Sequence, residues 1–311
     1  MNKLKKVGLT ALAGSMVATA ATAADVTIAA SWALNYTGGD SDEQHGVTSW
    51  SMDDSVKFTT TGDVGDTGWV ATAYFELDDD IIDDQKLTLD MGELGTLGFG
   101  DGAAHGYGID KVKNFVPGAD TPAYSMTFTD LAYVGGAGST GNLAYQLAIG
   151  DTGLTVGAEQ EVDATGGYSR SVSVHYDNPD LGFSFGVGTS DLAPDNGNGG
   201  NDETAIGAKF ATGNFTIGGN HNEIDYGGAT NDIDNQHYGV SYAVNDDLTV
   251  SYAKLSNSRD TAAEDEEYTL IAASYTMGSI KFAGYIAKQA SVSGVAGNDD
   301  AAKHLTMTLT F

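Results

Sequence analysis

The chain has 311 residues, no cysteine, 43 acidic against 14 basic residues and a formal net charge of −29. This excludes a disulfide framework and thiol chemistry, and it excludes nucleic acid as a partner, because phosphate binding needs clustered Lys and Arg. Glycine is abundant (42) and proline scarce (4), but 15 Tyr and 11 Phe among many Val, Ile and Thr argue for strands rather than disorder.

Lys3, Lys5 and Lys6 precede an apolar stretch of small residues at 7–22, and Ala21-Thr22-Ala23 has the A-x-A form of a cleavage site. Residues 1–23 read as a secretory signal peptide rather than a membrane helix. Its removal takes three lysines and no acid, so the mature chain, 24–311, carries a formal charge of −32. No run of 18 apolar residues occurs, so helical spanning of a membrane is excluded.

The first predicted element is 25–37, DVTIAASWALNYT. Val26, Ile28, Trp32, Leu34 and Tyr36 fall on one face, and Thr27, Ser31 and Asn35 on the other, which is the period of a strand with unlike faces. Further strands are predicted at 47–61, 67–77, 85–91, 95–101, 142–150, 153–162, 168–177 and 181–189. The rest are at 203–212, 214–224, 235–244, 248–256, 266–277, 279–289 and 302–311, which makes sixteen. Two strands break the pattern. In 268–277, YTLIAASYTM, apolar residues occupy both faces, and Asp54 lies on the apolar parity of its strand. Either the strand edges differ there or those faces meet a partner subunit.

The connections alternate in length. Gly-, Asn- and Asp-rich turns of a few residues (62–66, 92–94, 151–152, 178–180, 213, 245–247, 278) take turns with long acidic ones (38–46, 78–84, 191–202, 224–234, 257–266, 290–301). An outer-membrane barrel has this asymmetry, with short periplasmic turns and long outer loops, and its tilted strands have this length. The fold expected is therefore all-β, a transmembrane antiparallel barrel of 16 strands. The terminal HLTMTLTF closes it, with Leu305, Met307, Leu309 and Phe311 facing lipid. The longest connection, 102–141, has little strand alternation, and so long a connection in a compact fold is usually functional.

Taken together, these features resemble the general diffusion porins of Gram-negative bacteria, most closely the 16-stranded alphaproteobacterial, Rhodobacter-like type. The local match is LGTLGFGDGAA at 94–104. In that family a similar G-x-L-x-x-G stretch ends the fifth strand and enters a third loop that folds into the lumen and narrows the pore. The resemblance implies an outer-membrane homotrimer passing small hydrophilic solutes and ions. It also implies contact with outer-membrane lipid and lipopolysaccharide. Leu305, Met307, Leu309 and Phe311 become the signal read by the outer-membrane assembly machinery. It places Asp101, Asp110 and Asp120 at the constriction, with Lys111 and Lys113 offsetting them. The family's wall of arginines is not visible: the mature chain has only Arg170 and Arg259. Lys57 and Lys209, lumen-facing by parity, are the candidate replacements.

A lumen rich in carboxylates and poor in bases favours cations. No cofactor is required for such a channel. The acidic stretches offer oxygen ligands suited to Ca²⁺, with Asp78, Asp79, Asp80, Asp83 and Asp84 as candidates, but EF-hand spacing is absent. The six histidines show no linear metal-binding pattern and read as lumen or loop residues. Gly136–Gly141 is a formal G-x-G-x-x-G, but a strand rather than a helix follows it, so no dinucleotide site is expected. An enzymatic barrel would need a Ser/His/acid or paired-acid group, and none stands out. The alternative to a general channel is a substrate-specific porin with a solute site in the lumen. Aromatic rings such as Tyr285 would line it.

Overall fold

The structure is a computed structural model that describes residues 25–39, 49–78, 81–100, 107–117, 142–162, 168–192, 201–226 and 232–311. Its strands are β1 Asp25–Gly39, β2 Ser49–Asp63, β3 Val70–Asp78, β4 Ile81–Asp90, β5 Thr96–Gly100, β6 Asn142–Ala148, β7 Leu154–Val162 and β8 Tyr168–Asn178. They continue as β9 Phe183–Leu192, β10 Asn201–Thr212, β11 Phe215–Asp225, β12 Ile233–Ala243, β13 Leu248–Arg259, β14 Glu266–Met277, β15 Ile280–Ala290 and β16 Asp300–Thr310. Each strand pairs antiparallel with the next and β1 pairs with β16, so the sheet is a closed barrel.

The two-residue alternation decides which side of the wall each residue takes. On β1, Ile28, Trp32 and Leu34 point outward and are exposed, while Asn35 points inward and is buried. The inward side chains knit neighbouring strands. Ser31 Oγ lies 3.0 Å from Ser55 Oγ, and the Thr306 hydroxyl donates to Asn35 Oδ1 at 2.9 Å across the β16–β1 seam. Left-handed glycines make the tight reversals, Gly213 (φ 55°) between β10 and β11 and Gly278 (φ 61°) between β14 and β15.

The last residue is part of the wall. The Phe311 N–H donates to the Ala30 carbonyl at 2.9 Å, and the Ala30 N–H donates to the Phe311 carbonyl at 3.2 Å. Its ring is 71% exposed on the outer face and meets Trp32 edge-on, centroids 5.8 Å apart. Leu305, Met307 and Leu309 pair with Tyr36, Leu34 and Trp32, all of outward parity.

Three expectations need correction. The acidic run at 78–84 is not a long loop: β3 ends at Asp78 and β4 begins at Ile81. Asp78 pairs with Ile81 and Leu77 with Ile82, and a register shift between Phe75 and Leu77 absorbs the irregularity. Ile81 and Ile82 are β-branched, and Ile82 is exposed on the outer face opposite Leu77, so they extend the ladder. The second correction concerns β14, whose bounds match the prediction. Its second apolar face is inside the barrel, where Tyr268, Leu270 and Ala272 are buried in one cluster with Leu255, Tyr285 and Val116. Neither a misplaced edge nor a partner subunit explains it. The third concerns His221, which faces outward from β11 rather than into the lumen or a loop. Asp54 keeps its predicted parity: it lies outward, exposed and opposite Trp32.

A charge on a lipid-facing position near mid-span costs about 2–4 kcal/mol, whereas a lumen-facing one is tolerated. Leu305→Arg is therefore expected to destabilise the barrel by about 2–4 kcal/mol. Thr308→Glu, which points inward beside Lys281, is expected to stay within about 1 kcal/mol. Urea unfolding in lipid vesicles measures both, and equal losses would reverse the inside–outside assignment.

Candidate pore constriction

Part of the connection after β5 lies inside the barrel. Residues 107–117 lie against the inner wall, with a 3₁₀ helix at Ile109–Phe115 packed on β8, β9, β10 and β11. Two kinds of contact hold it. Apolar side chains on one side of the helix are fully withdrawn from water: Ile109 and Val112 are 0% exposed and Phe115 2%, and they cluster with Ala205 of β10. The Phe115 ring also stacks on His175 of β8, centroids 5.5 Å apart. Polar contacts tie the entry to the helix. The Tyr107 N–H donates to Glu159 Oε1 (2.7 Å), the Ser173 hydroxyl to the Tyr107 carbonyl (2.9 Å), and the Ile109 N–H to Ser171 Oγ (3.2 Å). Burial, then the Glu159 and Asp90 carboxylates, push the Tyr107 phenol above its usual range and keep it neutral.

The wall makes room by omitting side chains. Gly157, Gly188, Gly207, Gly218 and Gly239 all face inward, on β7, β9, β10, β11 and β12. A Cβ at Gly157 would stand 1.7 Å from the Tyr107 carbonyl oxygen. At Gly207 it would stand 2.4 Å from Phe115 Cδ2, at Gly218 2.0 Å from the Phe115 carbonyl oxygen, and at Gly239 2.8 Å from the Pro117 carbonyl oxygen. At Gly188 it would lie 3.0 Å from Ile109 Cα. These glycines form a seat for the loop across five strands, which is the close backbone approach that glycine within a strand marks. Each was visible in the sequence as a glycine at inward parity. What linear reading lacked was the register that lines them up.

Above the seat the same wall is polar and buried. Asn222 Nδ2 donates to Glu203 Oε1 at 3.2 Å, and Asn220 Nδ2 lies 3.3 Å from His237 Nδ1. The wall formed by β2, β3 and β4 carries charges held in pairs. Lys57 Nζ is 3.1 Å from Glu76 Oε2, Lys86 Nζ is 3.8 Å from Asp84 Oδ2, and Lys86 also stands 5.5 Å over the Tyr74 ring.

The predicted constriction residues divide as follows. Lys111 lies in the loop helix, its Nζ 3.5 Å from Gln146 Oε1 on β6. Lys209 faces inward on β10, beside the seat, and Lys57 faces inward on β2. Asp110 and Lys113 belong to the helix backbone. Asp101 and Asp120 lie outside the described residues, as do Asp79 and Asp80 of the proposed Ca²⁺ ligands. Of the remaining Ca²⁺ candidates, Asp78 ends β3, Asp83 lies within β4, and Asp84 of β4 sits beside Lys86. Tyr285 faces inward and is buried, stacked on His304 with centroids 5.4 Å apart, so its ring belongs to the wall rather than to an open track.

A family model described as Gram-negative porin matches residues 8–310. No curated protein sequence matches the chain. Among solved structures, one described simply as porin is 18% identical, covers 92% of this chain and all of its own, and superposes with a TM-score of 0.64. The OmpF of Salmonella typhi, in a complex with daunomycin, is 14% identical over 92% of this chain and 97% of its own, TM-score 0.66. A mutant of the Rh. blastica porin is 14% identical over 92% of this chain and all of its own, TM-score 0.63. At such identities these likenesses concern the fold.

The seat can be tested by filling it. Gly207→Val is expected to lift the helix from the wall, at an overpacking cost of about 1–3 kcal/mol. The barrel should still show heat-modifiable migration on gels, while single-channel conductance falls as the loop enters the lumen. Unchanged conductance from a folded variant would mean that the loop's position does not set the aperture.

Proposed function

This chain belongs to the Gram-negative porin family, the β-barrels of the outer membrane, and from that premise we propose a passive diffusion channel for ions and small hydrophilic solutes with a preference for cations. The observation that carries the reading is the loop segment 107–117 seated on the inner wall, where it narrows the lumen without entering the sheet. A channel of this kind performs no chemistry: solutes move down their gradient, and the wall sets which of them pass.

The cation preference rests on the balance of inward charges. Inward carboxylates include Asp53, Glu76, Asp90, Glu159, Asp177, Glu203, Glu266 and Asp300, whereas the inward bases include Lys57, Lys86, Lys209, Arg259 and Lys281. Lys57 and Lys86 are held against Glu76 and Asp84, which removes part of their field from the lumen. Carboxylate-rich linings select for cations.

The homotrimer is likewise proposed. Its support is on the outer face of β1 and β2, where Trp50 and Met52 are exposed and Asp54 sits among apolar neighbours. A carboxylate on the lipid face is unfavourable, and a neighbouring subunit would supply it with polar partners. The acidic composition of the long connections suits divalent ions, Ca²⁺ included, that bridge to lipopolysaccharide phosphates. The terminal Leu305, Met307, Leu309 and Phe311 suit recognition by the outer-membrane assembly machinery.

Purified mature protein in a planar bilayer under a KCl gradient tests the reading. Conductance steps in groups of three and a cation-selective reversal potential are expected. Lys57→Ala should raise the cation preference further, because it releases Glu76. An anion-selective wild type would overturn the charge argument, and folded protein without conductance would overturn the channel itself.

A further inference from the structure

We propose that His221, Glu223 and Asp234 form a binding site for a divalent transition-metal ion of the zinc class on the outer wall of the barrel. The group lies on two hydrogen-bonded strands near the end that bears the longer β11–β12 connection. Glu223 is two residues from the end of β11, and Asp234 is the second residue of β12. The three side chains point outward, on the parity that carries Ile217 lower on β11 and Tyr238 and Val240 lower on β12.

Two observations point to a cation. The first is the donor set. One ligand atom from each of the three residues lies within 4.8 Å of the others, with His221 Nε2 3.5 Å from Glu223 Oε1 and His221 Nδ1 3.6 Å from Asp234 Oδ1. An imidazole with two carboxylates is a zinc-type set, and metal bonds of about 2.0–2.2 Å are reached by modest rotamer changes of partly exposed side chains. The second is the pairing. Glu223 and Asp234 are direct cross-strand partners, and like charges placed opposite each other repel. The next outward pair, Asp202 opposite Asp225, repeats the conflict, and Asp191 faces Asp202 from β9. A strip of carboxylates fixed by register is costly unless positive charge joins it. Arg170 of β8 faces Asp191 at the far end of that strip; at Glu223 and Asp234 the basic group in contact is His221, which stands between the two carboxylates. A metal ion on one imidazole nitrogen neutralises the pair and leaves further coordination positions for water.

Among the described residues, the other outward polar groups beside this cluster are an amide and an engaged lysine. Gln236 offers only an amide, its Nε2 3.4 Å from Asp234 Oδ1. Lys254, opposite Tyr238 on the next strand, is engaged with Glu267 at 2.6 Å.

The test uses full mature protein folded in detergent and stripped with a chelator, titrated calorimetrically with ZnCl₂ and separately with CaCl₂. His221→Ala and Asp234→Asn are run beside it, with heat-modifiable migration as the folding control. The expected result is a zinc site in the wild type that each substitution weakens at least about tenfold, since even supporting residues around a metal contribute that much. Calcium binding should be indifferent to His221→Ala. Copper(II) bound in place of zinc should show nitrogen hyperfine splitting that His221→Ala removes. Zinc isotherms identical in wild type and both variants would overturn the site, as would a wild type that binds no zinc.

Discussion

The structure depends on one constraint: in hydrocarbon no backbone N–H or C=O can be left for water to satisfy. An open sheet fails that condition at its two edges. Here the edges are β1 and β16, and they satisfy each other from Ser31–Thr310 to Gly39–Ala302. The bonding runs to the final residue, where Phe311 exchanges both backbone hydrogen bonds with Ala30. The polar inward contacts at the same seam, Thr306 to Asn35 across it and Asn35 onward to Asp53 of β2, follow from closure, because only a sealed wall creates a sheltered interior for them.

Closure also creates the problem that the loop solves. A sixteen-stranded barrel is too wide for its own side chains to fill, so its aperture must be set by something placed inside. A segment lying against the wall needs a surface that accepts backbone at close range. Inward glycines on five strands supply it, and the buried trio Ile109, Val112 and Phe115 gives the segment a reason to stay. The apolar inner patch around Leu255, Tyr268, Leu270 and Tyr285, joined by Val116, continues that surface beyond the helix. The inner wall is thus divided between a loop-binding half and a half bearing paired charges on β2–β4.

Alternation of side chains carries strand existence and facing well, which is why β1, β14 and β16 were legible to within two residues and why Lys57 and Lys209 could be placed inward. It carries neighbours across strands poorly. His221 and Asp234 are thirteen positions apart in sequence, and no linear spacing relates them; only the β11–β12 register does. The glycine seat was opaque for the same reason. The run at 78–84 misled because acidity reads as loop, whereas Ile81 and Ile82 made strand and a bulge accommodated the aspartates. The inner face of β14 misled because a lumen is expected to be polar, and a wall that receives a loop need not be.

Charge completes the argument by its excess rather than by any single residue. Each inward lysine held at 3–4 Å from a carboxylate becomes a short dipole, whose field dies off faster with distance than that of a lone charge. The surplus carboxylates keep a long-range field. At physiological salt that field extends about 8 Å before screening removes it, so it acts only on solutes kept close to the wall, as a seated loop would keep them. The proposed selectivity therefore needs the loop as much as it needs the acids. A variant that kept every wall charge but lacked the seated segment 107–117 would open the path, and discrimination between cations and anions should fall together with the constriction.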